Sequence, residues 1–373
     1  MAGPLQGIRI VEMAGIGPTP FAGMMLADNG AEVIRIERPG TPPDPWDPLL
    51  RSRARLEMDL KDPRQVARLR ELLRTAEGVI EGYRPGVMER LGLGPDVLLA
   101  DNPRLVFGRM TGWGQEGPLA PLAGHDINYI SISGVLGALG RAGGQPTPPI
   151  NLVGDFGGGG MLLAFGMVSA LLAVKAGGKG QVVDCAMTDG SALLMAMIWG
   201  FRANGGWREE RGVNLLDTGA AYYDTFRTKD GQFVSVGSIE PQFYAILRDR
   251  LGLAGDPDLD EQNDPARWSA QKAKIAAAIA ARTREDLCGL FDGTDACVAP
   301  VLSMSEALSH PHNVARGAFV EVNGVAQPAP APRYSATPCD PPRGGFRPDA
   351  ASWLEEQGSD GVDPGQTERH SDE

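Results

Sequence analysis

The pattern that most constrains this chain lies between residues 8 and 36. Ile8-Arg9-Ile10-Val11-Glu12-Met13 reads as a strand, and the glycine/proline turn AGIGPTP follows it. Helical spacing runs from Phe21 to Asp28, Asn29-Gly30 stops the helix, and Glu32 to Ile36 alternates apolar positions as a second strand. Strand, helix, strand in that order needs a crossover, so the two strands are parallel and a doubly wound sheet is predicted. The alternation continues. A loop at 42–48 (PPDPWDP) precedes a helix from Arg64 to Thr75 opened by Asp62-Pro63, then strands at Gly78 to Glu81 and Leu105 to Met110. Gly157 to Gly160 leads into an apolar helix through Val174, and Gln181 to Cys185 is a further strand.

After about residue 215 the style changes. Tyr222 to Thr228 and Gln232 to Gly237, joined through Lys229-Asp230-Gly231, form a hairpin, and helical patterns follow, of which Ala270 to Ala281 is the clearest. The expected class is α/β: a Rossmann-like parallel-sheet large domain with a smaller α+β domain. The large domain spans 1–186 and is completed by 312–350, with 187–219 as linker helices and 220–311 as the small domain. The stretch 341–373 holds three Arg against eight acids, so 351–373 is expected to be an acidic, mobile tail.

The formal charge is −12, which speaks against a general nucleic-acid partner. Residues 1–110 carry 15 Lys/Arg and 15 Asp/Glu, so this third is neutral and the better place for an anionic small molecule. Cys185, Cys288, Cys297 and Cys339 show no ligand spacing, and free thiols in a reducing cytoplasm are expected. His310 and His312 in SHPH lack a third ligand nearby, so no metal is expected. The start MAGPLQGIRIVEM has no secretory pattern, and HSDE is not a peroxisomal address. The most apolar run, Met161 to Val174, is shorter than the roughly 20 residues a bilayer span needs. No membrane span is expected.

Gly15-x-Gly17 after a strand, with Glu37 further on, imitates a dinucleotide fingerprint. Pro20 occupies the place of the third glycine, and Pro18 and Pro20 remove N–H donors that a pyrophosphate needs. The segment is read as a tight βα turn, without a nicotinamide cofactor.

Three clusters could carry chemistry. GHDINY at 124–129 offers His125, whose neutral imidazole can accept a proton near pH 7. NLVGDFGGGG at 151–160 places Asp155 before four glycines that let a substrate approach the backbone, and N–H groups near Gly157 could hold an oxyanion. SIEPQFY at 238–244 puts Glu240 at the start of a helix. Taken singly, each has an ordinary explanation: a structural loop histidine, an N-cap aspartate, a solvated helix-start acid.

Together these segments resemble the α-methylacyl-CoA racemase family, within the wider family III CoA-transferase fold. The likeness runs through GIRIVEMAGIGP, ERPG, MDLK, EGYRPGVMERLGLGP, TGWGQEGP, GHDINY, NLVGDFGGG, IEPQFY and ACVAPVL, and fades after about residue 335. The resemblance implies an isomerase that racemises the C2 centre of 2-methylacyl-CoA thioesters in fatty acid and lipid metabolism. His125 and Asp155 would be the two bases, with Glu240 assisting the histidine. It implies CoA contacts from Arg38, from Met58, Asp59, Leu60 and Lys61, from Gly82, Tyr83 and Arg84, from Arg90, and from Gly124, Asp126, Ile127, Asn128 and Tyr129. CoA is then part of the substrate, no further cofactor is needed, and an interlocked homodimer is expected. Met187, Met195 and Met197 suit either a flexible acyl-binding surface or a core. The alternatives are a family III CoA-transferase with Asp155 as nucleophile and a non-catalytic acyl-CoA-binding protein.

Overall fold

The computed structural model describes residues 2–42 and 44–344; the expected tail at 351–373 lies outside them. The chain divides into two compact units. Among the described residues, the first comprises 2–42, 44–124, 155–190 and 318–344, and the second 125–154 and 191–317. The segment 125–154, assigned from sequence to the large domain, therefore groups with the second unit.

The first unit is built on a six-stranded parallel sheet: β1 (Arg9–Met13), β2 (Glu32–Glu37), β3 (Ala54–Glu57), β4 (Gly78–Glu81), β5 (Val106–Thr111) and β6 (Gln181–Ala186), in the order β3-β2-β1-β4-β5-β6. The order reverses between β1 and β4, and crevices at such switch points, beyond the carboxyl ends of the strands, are where doubly wound sheets bind ligands. Val11, Met13, Ile34, Ile36, Val79 and Phe107 from the strands join Leu69, Leu72 and Leu73 of the helix Pro63–Arg74 in one core cluster. That helix starts where Asp62 accepts the Arg64 N–H at 2.9 Å, with proline at its first position. The return segment forms an antiparallel ribbon, Phe319–Val322 with Val325–Pro328. Buried Arg51 ties it down, pairing with Asp28 and donating to Gln327 Oε1 at 2.8 Å and the Pro328 carbonyl at 2.7 Å.

One helix departs from expectation. A π-helical stretch, Leu152–Met161, leads without a break into the α-helix Leu162–Lys175, so the four glycines lie inside a helix rather than ahead of it. The 24 residues from Leu152 to Lys175 are long and apolar enough to cross a membrane by length and composition alone, which corrects the shorter run measured from sequence. Half of that apolar window is buried inside the protein. Leu163, Met167, Leu171 and Val174 are buried, and the helix packs on β5 and β6.

In the second unit, β7 (Tyr223–Arg227), β8 (Phe233–Gly237) and β9 (Val298–Pro300) form an antiparallel sheet in that order. Phe226, Val234 and Val236 bury against Tyr244 and Leu247 of the helix Pro241–Leu251 and Ile275 and Ile279 of the helix Trp268–Ala280. Tyr222 meets Tyr244 and Trp268 edge-on, with ring centroids 5.7 and 6.3 Å apart.

Candidate active site

The first unit gathers its candidates at the carboxyl edge of the sheet. Arg38 follows β2 and is exposed; Met58, Asp59, Leu60 and Lys61 follow β3, with Met58 buried and Asp59 and Lys61 exposed. Gly82, Tyr83 and Arg84 follow β4, with Tyr83 half-buried, and exposed Arg90 ends the short helix Val87–Arg90. Three loops from neighbouring parts of one parallel sheet thus present cations with an aromatic ring beside them, an arrangement suited to phosphates and a purine.

Two of the turns at the switch point are held by buried ion pairs that the sequence reading missed. Glu12 and Arg35 are register partners on β1 and β2, and Glu81 and Arg109 are register partners on β4 and β5. Glu12 is fully buried and takes both Arg35 and Arg53. Arg35 also reaches Glu37 at 2.6 Å and donates to the Gly15 carbonyl at 2.9 Å. Glu81 pairs with Arg109 at 2.8 Å, and its other oxygen accepts the Tyr83 N–H at 2.6 Å. Burial pushes the Glu81 carboxyl up, against the Tyr83 N–H and Arg109. It also pushes the Tyr83 phenol up, with the Glu81 charge adding to it. The available signal was a charged residue set in a run of apolar ones: Glu12 in IVEM, Arg35 in VIRI, Glu81 after GVI and Arg109 in FGRM.

Asp155 lies on the π-helical stretch, half-buried, and its carboxyl rests on the turn after β1. Asp155 Oδ2 is 3.3 Å from where a Cβ on Gly17 would stand, and Gly17 has φ +69°, a conformation that favours glycine. The neighbouring Phe156 ring tilts onto Phe21, centroids 4.7 Å apart.

In the second unit His125, exposed, caps the helix Asp126–Ile132, and its N–H donates to Asn128 Oδ1 at 3.1 Å. On that helix Asp126 and Tyr129 are buried, whereas Ile127 and Asn128 are exposed. Gly124 closes a segment of the first unit, so GHDINY straddles the division. Gly154 packs directly on Asp126: a Cβ on this glycine would lie 2.4 Å from Asp126 Oδ1 and 3.3 Å from its Cα. Glu240, exposed, sits at the N-cap of Pro241–Leu251. The two carbonyls before it, of Ser238 and Ile239, are held at 3.2 and 2.8 Å by the buried Gln262 amide. The three methionines differ in their surroundings. Met187 is buried in the first unit, whereas Met195 lines a cavity of about 380 Å³ in the second with Ile198, Trp199 and Trp207, and Met197 is exposed.

Comparison with known proteins adds three findings. The alpha-methylacyl-CoA racemases of Mus musculus and Homo sapiens are each 46% identical to this chain, over 90% of it and 88% of their own length. A crystal structure of a CAIB/BAIF family protein from Brucella suis superposes with a TM-score of 0.81 over 96% of this chain and 100% of that one; at 24% identity it speaks for the fold. Residues 5–348 match the family described as CoA-transferase family III, and to that family this chain belongs.

Proposed function

We propose that this protein is an α-methylacyl-CoA racemase, inverting C2 of 2-methylacyl-CoA by a two-base 1,1-proton transfer. His125 removes the C2 proton, and the C–H electron pair moves through the thioester onto its oxygen. Asp155, carrying a proton, delivers it to the opposite face of the planar enolate. Product then leaves with His125 protonated and Asp155 ionised, and proton exchange with solvent resets the pair. The reverse direction exchanges the roles. Binding energy from the CoA moiety at the carboxyl edge of the sheet positions C2. Glu240, in the same unit as His125, assists the imidazole. The thioester supplies the acidity, so the reaction calls for no metal or redox cofactor.

The observation that carries this reading is the packing of Gly154 on Asp126. It ties the residue after His125 to the residue before Asp155 within the second unit. The identity to the two racemases over most of the chain supports the same substrate class. The cavity beyond the C-terminal end of the His125 helix is lined by Met195, Ile198, Trp199 and Trp207, with Arg202, Glu209 and Arg211 also on its wall, and its apolar part suits a hydrocarbon acyl chain. The transferase reading needs Asp155 as a nucleophile and gives His125 no role.

A homodimer is part of the proposal. Met161, Phe165, Val168 and Leu172 recur on one face of Leu162–Lys175 and the residue before it, and are 51, 71, 39 and 69% exposed. A contiguous apolar stripe of this kind is what a second copy would cover. The four free cysteines support a reducing compartment, and we place the protein in the cytoplasm.

The test offers an optically pure 2-methylacyl-CoA in deuterated water, with and without a free carboxylic acid. Racemisation with deuterium at C2 is expected, with His125→Ala and Asp155→Ala each abolishing inversion while CoA affinity stays within about threefold. Transfer of CoA to the acid, or an unchanged substrate, would overturn the reading.

A further inference from the structure

Arg35 has no part in the proton transfer, yet its guanidinium spans three elements. From β2 it pairs with fully buried Glu12 on β1, reaches Glu37 at 2.6 Å, and donates its last arm to the Gly15 carbonyl at 2.9 Å. Gly15 belongs to the turn that the sequence offered as an imitation of a dinucleotide fingerprint. Two residues on, Gly17 adopts φ +69° and supports the Asp155 carboxyl, with Oδ2 3.3 Å from its missing Cβ. A planar five-donor fork fixed by two carboxylates has a single orientation, so the Gly15 carbonyl is held at a defined point. The turn cannot shift without breaking that bond.

We infer that Arg35 is a positioning residue for Asp155: it fixes the turn on which the carboxyl rests, and through it one face of the reaction. The inference rests on the proposed racemisation and deepens it. A misplaced Asp155 impairs proton transfer on its own face and leaves the His125 face working, and a displacement of about 1 Å is enough to cost about 10²-fold. A merely structural Arg35 would weaken both faces alike.

The experiment follows deuterium uptake at C2 separately from each enantiomer of 2-methylacyl-CoA, in the wild type, Asp155→Ala, Arg35→Lys and Gly17→Ala. Lysine keeps a charge for Glu12 and cannot also reach Gly15. Alanine at 17 crowds Asp155 without touching the ion pairs, so it serves if the buried lysine variant does not fold. The expected result is at least a tenfold greater loss of uptake from one enantiomer than from the other, with KM nearly unchanged. The affected enantiomer should be the one that Asp155→Ala silences. Equal loss from both enantiomers, or wild-type uptake in either variant, overturns the inference while leaving racemisation intact. A wild type that takes up no deuterium from either enantiomer overturns both.

Discussion

Gly154→Ala is the sharpest test of the proposed site, because its effect follows from one close approach in the structure. The added methyl would stand 2.4 Å from Asp126 Oδ1 and 2.8 Å from its Cγ, whereas ordinary contact begins at 3.4 Å. Asp126 or the 154–155 backbone must therefore give by about 1 Å. Overpacking of this size costs about 1–3 kcal/mol of stability, so the protein should still fold. The same displacement acts on the neighbours of both proposed bases, and about 1 Å at a reacting geometry is worth about 10²-fold in rate. The assay is loss of optical rotation of a pure 2-methylacyl-CoA under saturating substrate, with thermal unfolding measured in parallel. kcat should fall by about two orders of magnitude, measured at saturation so that any rise in KM from the displaced Asp126, itself an expected CoA contact, does not enter. Gly289→Ala is the control. It lies in the helix Arg284–Phe291 with nothing within 4 Å of its added methyl, and should stabilise by about 0.5–1 kcal/mol without changing the rate. A Gly154→Ala enzyme with wild-type kcat would refute the claim that this contact sets the geometry.

Asp224 is buried, which alone would raise its pKa, but hydrogen bonds from Arg141 and Lys272 win and hold it below its ordinary value of 3.8. Its contribution to stability is therefore complete above that value and is lost as pH falls through the lowered folded one. Asp224→Asn should destabilise by about 1–3 kcal/mol at pH 7, and chemical denaturation should show the penalty shrinking well below pH 3.8; a penalty independent of pH would contradict the pairing. Gln262→Leu leaves the Ser238 and Ile239 carbonyls without their donor. It should cost about 1–3 kcal/mol in urea unfolding, and unchanged stability would show that other groups satisfy them. Phe165→Glu places a charge in the exposed apolar stripe and should shift the proposed dimer to monomer in sedimentation velocity; a variant with the mass of the wild type would refute the stripe as a dimer interface.

The parallel sheet was legible because its strands alternate with helices whose starts and stops carry local signals, such as Asp62-Pro63 and Asn29-Gly30. β3 was not. Ala54-Arg55-Leu56-Glu57 has too little apolar content to announce a strand, and forms one because it lies at the sheet edge beside β2, Ile34 opposite Ala54 and Ile36 opposite Leu56. The Leu152–Met161 helix was hidden for a related reason. Four successive glycines disfavour a helix locally, yet Gly158, Gly159 and Gly160 are buried, and tertiary packing overrides propensity.

The same physics separates the two kinds of site residue. His125, Asp155 and Glu240 could be proposed from sequence because each sits in a short motif at the edge of an element. Glu12, Arg35, Glu81 and Arg109 lie within strands, and their meaning depends on which strand becomes the neighbour. A buried carboxylate in isolation is costly, so each such residue demands a partner, but only the strand order β3-β2-β1-β4-β5-β6 says that Glu12 faces Arg35 and Glu81 faces Arg109. The pairs then become the means by which the sheet dictates the loops. One fixes the turn under Asp155 through the Gly15 carbonyl, and the other fixes the Gly82–Arg84 turn through the Tyr83 N–H. Charges placed within strands near a switch point are thus better read as supports for the adjoining loops than as candidates for chemistry.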